Sequence, residues 1–356
     1  MVKQVRITYK IKIVLFILGF FLIIYLLLIH LGNQSPAKSS QEIPFISSID
    51  TMKVSRDTET YPQTTSQINA EVKASASLNV NYITVDTHWD YPTYMKTWID
   101  SIRSSGKHVW FRIQPNQWED NNFTTGIMTP TAYITSLKTF ILAHPDYFKS
   151  GDIFDGSPEP EQGLYWIYTY GPHWSYNAPN AATKAYNQFI VDITQTEKNA
   201  FTALKIPNIR VVISVNSYFA THNQVLYKST INQLGLITFD SYPEQKTVSP
   251  SVATAARINE IKQIYSIWHL PIIIGEMGYS NEVNVNDTQQ EQVLHSEFAA
   301  IEKLTYVRGL NYWVGPGSDK SGGYTHILSF TNGNWVIRPA GDDLIDFFQY
   351  EKTNNN

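Results

Sequence analysis

Apolar residues in this chain fall into short unbroken runs, separated by longer stretches in which apolar positions recur three or four residues apart. The clearest run is Pro271 to Ser280, PIIIGEMGYS. Its three consecutive isoleucines, with no polar alternation, predict a strand covered on both faces in a parallel sheet. Similar runs at Phe45 to Asp50, Val80 to Asp86, His108 to Gln114, Asp152 to Gly156, Ile209 to Val215, Leu236 to Asp240 and Val307 to Trp313 bring the predicted strands to eight. The intervals read as helices. Pro92 to Ser105 sets Tyr94, Trp98 and Ile102 four apart, and Pro130 to Ala143 opens with proline in its first turn. Val252 to Trp268 carries Ile258, Ile261 and Ile264 along one stripe, and Asp287 to Leu304 and Asp342 to Tyr350 follow the same pattern. Eight strands alternating with eight helices predict a single (β/α)8 barrel of class α/β. A doubly wound sheet is the alternative, but it calls for a glycine-rich phosphate loop, and no GxGxxG occurs.

One apolar run breaks the rhythm. Ile13 to Leu31 is long enough to cross a bilayer as a helix, and Lys3, Arg6, Lys10 and Lys12 precede it. The positive-inside tendency then keeps residues 1–12 in the cytoplasm and exports the rest. The expected order is a basic tail (1–12), a transmembrane anchor (13–31), a small polar spacer (32–42), the barrel (43–350) and a polar tail (351–356). A cleaved signal peptide, giving a secreted protein, is the competing reading; IHLGNQ follows the apolar run, with only the weak small-residue stretch SPAK beyond it. Composition narrows the chemistry. The net charge is -4 and no Lys/Arg cluster follows the first twelve residues, so nucleic acid is excluded as a partner. The chain has no Cys, which removes disulfides and thiolate metal sites. No HExxH or GxSxG is present, and the expectation is an activity with no metal or cofactor.

In a barrel the carboxyl ends of the strands converge on one mouth. Here they carry His88 and Trp89 after the second strand, Arg112 and Trp118 after the third, and Asp155, Glu159 and Glu161 after the fourth. Asn216 follows the fifth strand, Asp240 and Tyr242 the sixth, Glu276 the seventh, and Asn311 and Trp313 the eighth. Glutamates across an aromatic-lined cleft are what glycosidic bond cleavage needs: one donates a proton to the leaving oxygen while the other attacks the anomeric carbon or activates water. Aromatic faces take sugar rings, and amides and acids take their hydroxyls. Other readings stand beside this one. Tyr242 and Trp313 also suit simple packing, His88 or Arg112 suits pairing with Asp86 or Glu119, and the aromatic stretch Gly163 to Asn180 suits either a cleft wall or a packed lid. Thr325 to Pro339 reads as a hairpin turning at Asn332-Gly333.

The ordered set SPEPEQ, DSYPE, IIIGEMG and NYWVG resembles the clan A glycoside hydrolases, from the first strand to the last helix. That resemblance implies a retaining enzyme with Glu159 as acid/base, Glu276 as nucleophile, Tyr242 holding the nucleophile and Trp313 flooring the sugar site. Two points depart from it. Pro158 stands where the clan usually has Asn, and the PEPE repeat leaves Glu161 as an alternative acid/base. His88, Trp89, Arg112, Trp118, Asn216 and Asp240 complete the expected substrate-binding set. The expectation is a membrane-anchored extracytoplasmic glycosidase acting on an oligo- or polysaccharide; the alternative is a carbohydrate-binding barrel without catalysis.

Overall fold

The eight expected strands are all present in the computed structural model, which describes residues 43–119, 126–174, 178–243, 249–279, 286–317 and 325–354. The expected anchor Ile13 to Leu31 and the spacer after it lie outside the described residues. Among the described residues no helix is long and apolar enough to cross a membrane. Phe45–Asn356 form one unit.

Strands Ile46–Asp50, Tyr82–Val85, His108–Arg112 and Ile153–Asp155 pair in parallel, each with the next, and Ile237–Ser241, Ile272–Met277 and Val307–Tyr312 do the same. The eighth strand returns to the first through Ser48 opposite Asn311. The fifth comes in two pieces. Arg210–Val211 pairs with the fourth strand, and Ser214–Asn216 pairs with the sixth. That one segment joins both ends of the curled sheet, as a (β/α)8 barrel requires. The isoleucine run meets its expectation, since all six residues of Ile272–Met277 are buried. Residues with a branched Cβ are at ease in a pleated strand packed on both sides.

Helices follow the strands with recognisable starts. Thr64 and Gln67 form a capping box ahead of Thr65–Ala76, Thr129 caps Pro130–Ala143, Asn180 and Thr183 box the start of Ala181–Ala203, and Asn286 caps Asp287–Ile301. Pro92–Ser104 and Pro250–Trp268 begin with proline, whose missing N–H costs nothing in a first turn. The fifth connection departs from the expected eight helices. It holds only two four-residue helices, Ser217–Ala220 and Lys228–Ile231. Its backbone is held from outside instead, because the Asn187 side chain donates to Val225 O at 2.7 Å and accepts from Tyr227 N at 2.7 Å. The last helix, Pro339–Asn354, also runs past the expected boundary at residue 350.

The aromatic stretch after the fourth strand is a packed lid over its described part. Trp166 and Trp174 stack at 5.5 Å with both rings buried, and Trp166 also meets Tyr186 and Phe189. The expected hairpin is present as Leu328–Thr331 and Asn334–Ile337. Asn332 and Gly333 both carry positive φ at its turn.

Candidate active site

Glu276 owes its position to an irregularity in the seventh strand. Phe239 pairs with Ile274, yet the next residue, Asp240, pairs with Glu276, so Gly275 is skipped and the two carboxylates are brought side by side. Only glycine fits the skipped position, because a Cβ there would stand 2.5 Å from Asp240 Oδ1. Arg112 reaches across from the third strand. Its Nη1 donates to Glu276 Oε1 at 2.5 Å, and its Nη2 donates to Asp240 Oδ2 at 3.0 Å. The phenol of Tyr242 donates to the other Glu276 oxygen, Oε2, at 3.1 Å. Both oxygens of Glu276 therefore have a fixed donor, which sets the plane of the carboxylate toward the mouth. Beneath it, Asp50 Oδ2 lies 3.7 Å from Arg112 Nη1, and Asn311 Nδ2 donates to both Asp50 Oδ2 and Gly275 O at 3.0 Å.

One guanidinium thus faces four buried carboxyl groups, with Glu276 the most exposed of them. Burial alone would pull Arg112 down, but Asp240, Glu276, Asp86 and Asp50 together push it well up, so it stays charged. The acids respond in the opposite sense to ordinary surface carboxylates. Burial, opposed by Arg112 and reinforced by Glu276, pushes Asp50 up to about 6. Burial likewise pushes Asp155 up to about 6 against the pull of Arg112, and it drives Asp240 and Asp86 well up. Glu161 is pushed up to about 7 by burial, against the bond it receives from Asn216 N.

A carboxyl group raised on folding contributes stability that is fully present below its unfolded value and is lost as pH rises through its folded value. For Asp50, Asp155 and Glu161 that window runs from about 4 to about 7. Urea unfolding should therefore show stability falling between pH 4.5 and 7, at up to about 1.4 kcal/mol per pH unit for each proton held. The Glu161→Gln protein should fall less steeply. Stability that rises across this interval would contradict the charge distribution described here.

The structure separates the other expected residues. Glu159 is half-buried at the end of the fourth strand in left-handed backbone (φ 44°), its N–H bonded to Ser214 O at 2.8 Å. Glu161 is 4% exposed and both its oxygens already accept bonds, from Tyr186 OH at 2.8 Å and from Asn216 N. Trp313 is half-buried, meets Tyr242 edge-on at 6.1 Å, and leaves its Nε1 without a partner. Glu276, Asp240, Arg112 and Tyr242 therefore form one bonded group, which Trp313 joins through Tyr242.

Several expected substrate contacts are placed elsewhere. Trp118 is 1% exposed and packs against Tyr133, Trp166 and Phe189, with Gly163 held so close that a Cβ there would lie 2.1 Å from the ring. Trp89 is buried against Tyr133 and Phe140. Neither ring offers a face to a sugar, and the reason is that both point into the helix layer rather than the mouth. His88 is held by Glu59, whose Oε1 lies 2.5 Å from Nδ1 and whose Oε2 accepts from the His88 N–H at 3.0 Å. That replaces the anticipated pairing with Asp86 or Glu119. Arg112 and Asp240 are buried, and Arg112 bonds both Asp240 and Glu276. The side chain of Asn216 accepts from Tyr218 N at 3.0 Å, capping a short helix. Sequence reasoning missed Asp50. Its signal was its position, the last residue of the first strand.

No family model matches this chain, and no curated protein does. Solved structures do. A GH5_18 protein from Streptomyces cattleya, in complex with Manb1-4GlcNAc, superposes with a TM-score of 0.65 at 12% identity, covering 88% of this chain and 82% of the other. This chain shares its fold with family 5 glycoside hydrolases. An exo-beta-1,4-mannosidase from Opitutaceae bacterium strain TAV5 matches at 0.59 and 10% identity, covering 87% of this chain and 60% of that one. A GH5-4 broad specificity endoglucanase from Clostridium longisporum matches at 0.58 and 12%, covering 87% and 97%. The resemblance to clan A read from the strand-end motifs therefore holds at the level of the family 5 fold.

Proposed function

We propose that this protein is a glycoside hydrolase that cleaves β-linked oligo- or polysaccharide with net retention, using Glu276 as nucleophile and Glu159 as acid/base. The observation that carries the reading is the fixed carboxylate of Glu276, bound on one oxygen by Arg112 and on the other by Tyr242 at a strand-end mouth. In the first step Glu276 attacks the anomeric carbon, the bond to the leaving oxygen breaks, and Glu159 gives that oxygen its proton. In the second, Glu159 takes a proton from water, the water oxygen bonds to the same carbon, and Glu276 leaves. Trp313, half-buried and edge-on to Tyr242, supplies an apolar face for the ring. The fold shared with enzymes named for β-1,4-mannosidic substrates favours a β-linkage. The reading also includes Ile13 to Leu31 as a membrane anchor with the barrel outside the cytoplasm; recovery of full-length protein in the soluble fraction of lysed cells would remove that part.

Pro158, in place of the clan's usual Asn, is the observation that favours a second reading, a barrel that binds carbohydrate without cleaving it. The Glu159→Ala protein separates the two. On substrates with poor leaving groups it should lose about 10²- to 10⁴-fold in rate. On aryl glycosides, whose leaving group needs no proton, it should keep much of its activity, and azide should raise the rate further by replacing water. Equal losses on both substrate types with no azide effect would remove Glu159 from the acid role. The same signature in Glu161→Ala would transfer that role. Wild-type protein that binds sugars but hydrolyses none would establish the second reading.

A further inference from the structure

The bond from Tyr242 to Glu276 forms where the sheet no longer holds its two strands together. Ser241 opposite Met277 is the last pair in the ladder of the sixth and seventh strands, so Tyr242 and Gly278 both stand just past its end. Tyr242 still donates to Glu276 Oε2 at 3.1 Å. A hydrogen bond weakens steeply as its distance and angle depart from the optimum, so the spacing of the two strand ends must be fixed by other means.

Arg257 fixes it from behind. It lies on Pro250–Trp268, the helix that connects the two strands, and is 1% exposed. Its Nη1 donates to Ser241 O, the carbonyl directly before Tyr242, and to Ser241 Oγ at 3.0 Å. Its Nη2 donates at 3.1 Å to Gly278 O, two residues past Glu276. On the following helix, Asp287–Ile301, the buried Glu297 places Oε1 at 2.9 Å from Arg257 Nε. The Ser241 hydroxyl donates in turn to Glu260 Oε2, one turn along the helix that carries Arg257.

Stability alone does not call for this arrangement. A buried ion pair between two helices is often matched or bettered by apolar side chains of the same volume. What a guanidinium adds is direction: its planar fork can hold two carbonyls and a carboxylate at once, which an ammonium on a flexible stem cannot do in fixed geometry. We infer that Arg257 is a positioning residue for the nucleophile: anchored by Glu297, it clamps the carbonyls of Ser241 and Gly278 and thereby sets the bond from Tyr242 to Glu276. The inference rests on the glycosidase reading and extends that site to a buried residue of the surrounding helix layer.

Kinetics and NMR on the full-length protein in mild detergent test it. Arg257→Lys keeps the charge and loses the fork. On aryl β-mannoside or β-glucoside it should lower kcat about 10- to 100-fold, the scale of a misplaced reacting group, and leave KM within about threefold. Tyr242→Phe should lose a similar factor. Adding Arg257→Lys to Tyr242→Phe should then cost no more than about twofold, because the bond that Arg257 sets is already gone. Glu297→Gln keeps the shape of the anchor without its charge; it should lower kcat in the same way by a smaller factor, and it carries the comparison if Arg257→Lys does not fold. Labelling tyrosine with carbon-13 at Cζ gives a readout that needs no activity. The Tyr242 signal, identified by its loss in Tyr242→Phe, should move in Arg257→Lys and Glu297→Gln while most other tyrosine signals stay in place. Losses that multiply in the double variant, a rise in KM with kcat unchanged, or a Tyr242 signal that does not move would each overturn the inference. A wild type that hydrolyses no glycoside would remove the glycosidase reading, and the Tyr242 signal would then decide the clamp: moved in both variants, it sustains it; unmoved, it overturns it.

Discussion

The Glu276→Gln protein is expected to fold normally and to lose turnover by on the order of 10⁴-fold or more. The amide keeps the size of the carboxylate and can still accept a bond through its oxygen from Arg112 or Tyr242, so the barrel mouth keeps its shape. What it loses is the charge and the oxygen that bonds to the anomeric carbon, and both are needed in the same step. Aryl glycoside assays on wild type and variant, with circular dichroism to establish folding, measure the effect. A variant within about tenfold of wild type would show that Glu276 is not the attacking group.

Replacing Arg112 by Met should have the largest effect on stability. The methionine fills part of the same space but removes a cation that Asp50, Asp86, Asp240 and Glu276 all face. Breaking a buried charged group from one side typically costs about 3–5 kcal/mol, because the remaining charges stay desolvated with nothing to offset them. That cost should be largest at pH 7 and should shrink toward pH 5, where Asp50 and Asp240 take up protons more readily than surface acids do. Urea unfolding of both proteins at the two pH values reads the difference directly. Equal stability at pH 7, or a deficit that grows in acid, would mean that Arg112 does not neutralise this cluster.

The strands were legible because their burial is written in the chain itself. Ile272 to Ile274 cannot sit on a solvated face without exposing three branched side chains, so a parallel strand was the economical reading. The hairpin was legible for a similar reason, since Asn332-Gly333 meets the backbone demand of a tight turn. Residues whose roles depend on direction were not legible. Trp118, Trp89 and Trp313 all follow strands, yet the first two turn outward into the helix layer and only Trp313 turns to the mouth. Nothing in local composition distinguishes those outcomes, because they depend on which neighbours the fold supplies. Arg112 reads as a rim residue in sequence, but its long side chain crosses the barrel to Glu276 on the seventh strand. The missing fifth helix has the same origin: Asn187, distant in sequence, holds Val225 and Tyr227 in a conformation that local propensity does not specify. Glu159 and Glu161 could not be ranked from PEPE alone. Their different burial does distinguish them, one half-open and the other closed by Tyr186 and Asn216.

Cleavage with net retention passes through a covalent bond between the sugar and Glu276. Incubating the wild-type protein with 2-deoxy-2-fluoro β-mannosyl and β-glucosyl fluorides should trap that bond, because the 2-fluorine slows both steps while the good fluoride leaving group speeds only the first, so the glycosyl-enzyme accumulates. Intact mass should rise by one fluorosugar, and peptide mapping should place it on Glu276. A protein that turns over β-glycosides yet carries the label on another carboxylate, or releases the inverted anomer with no label at all, would contradict the account.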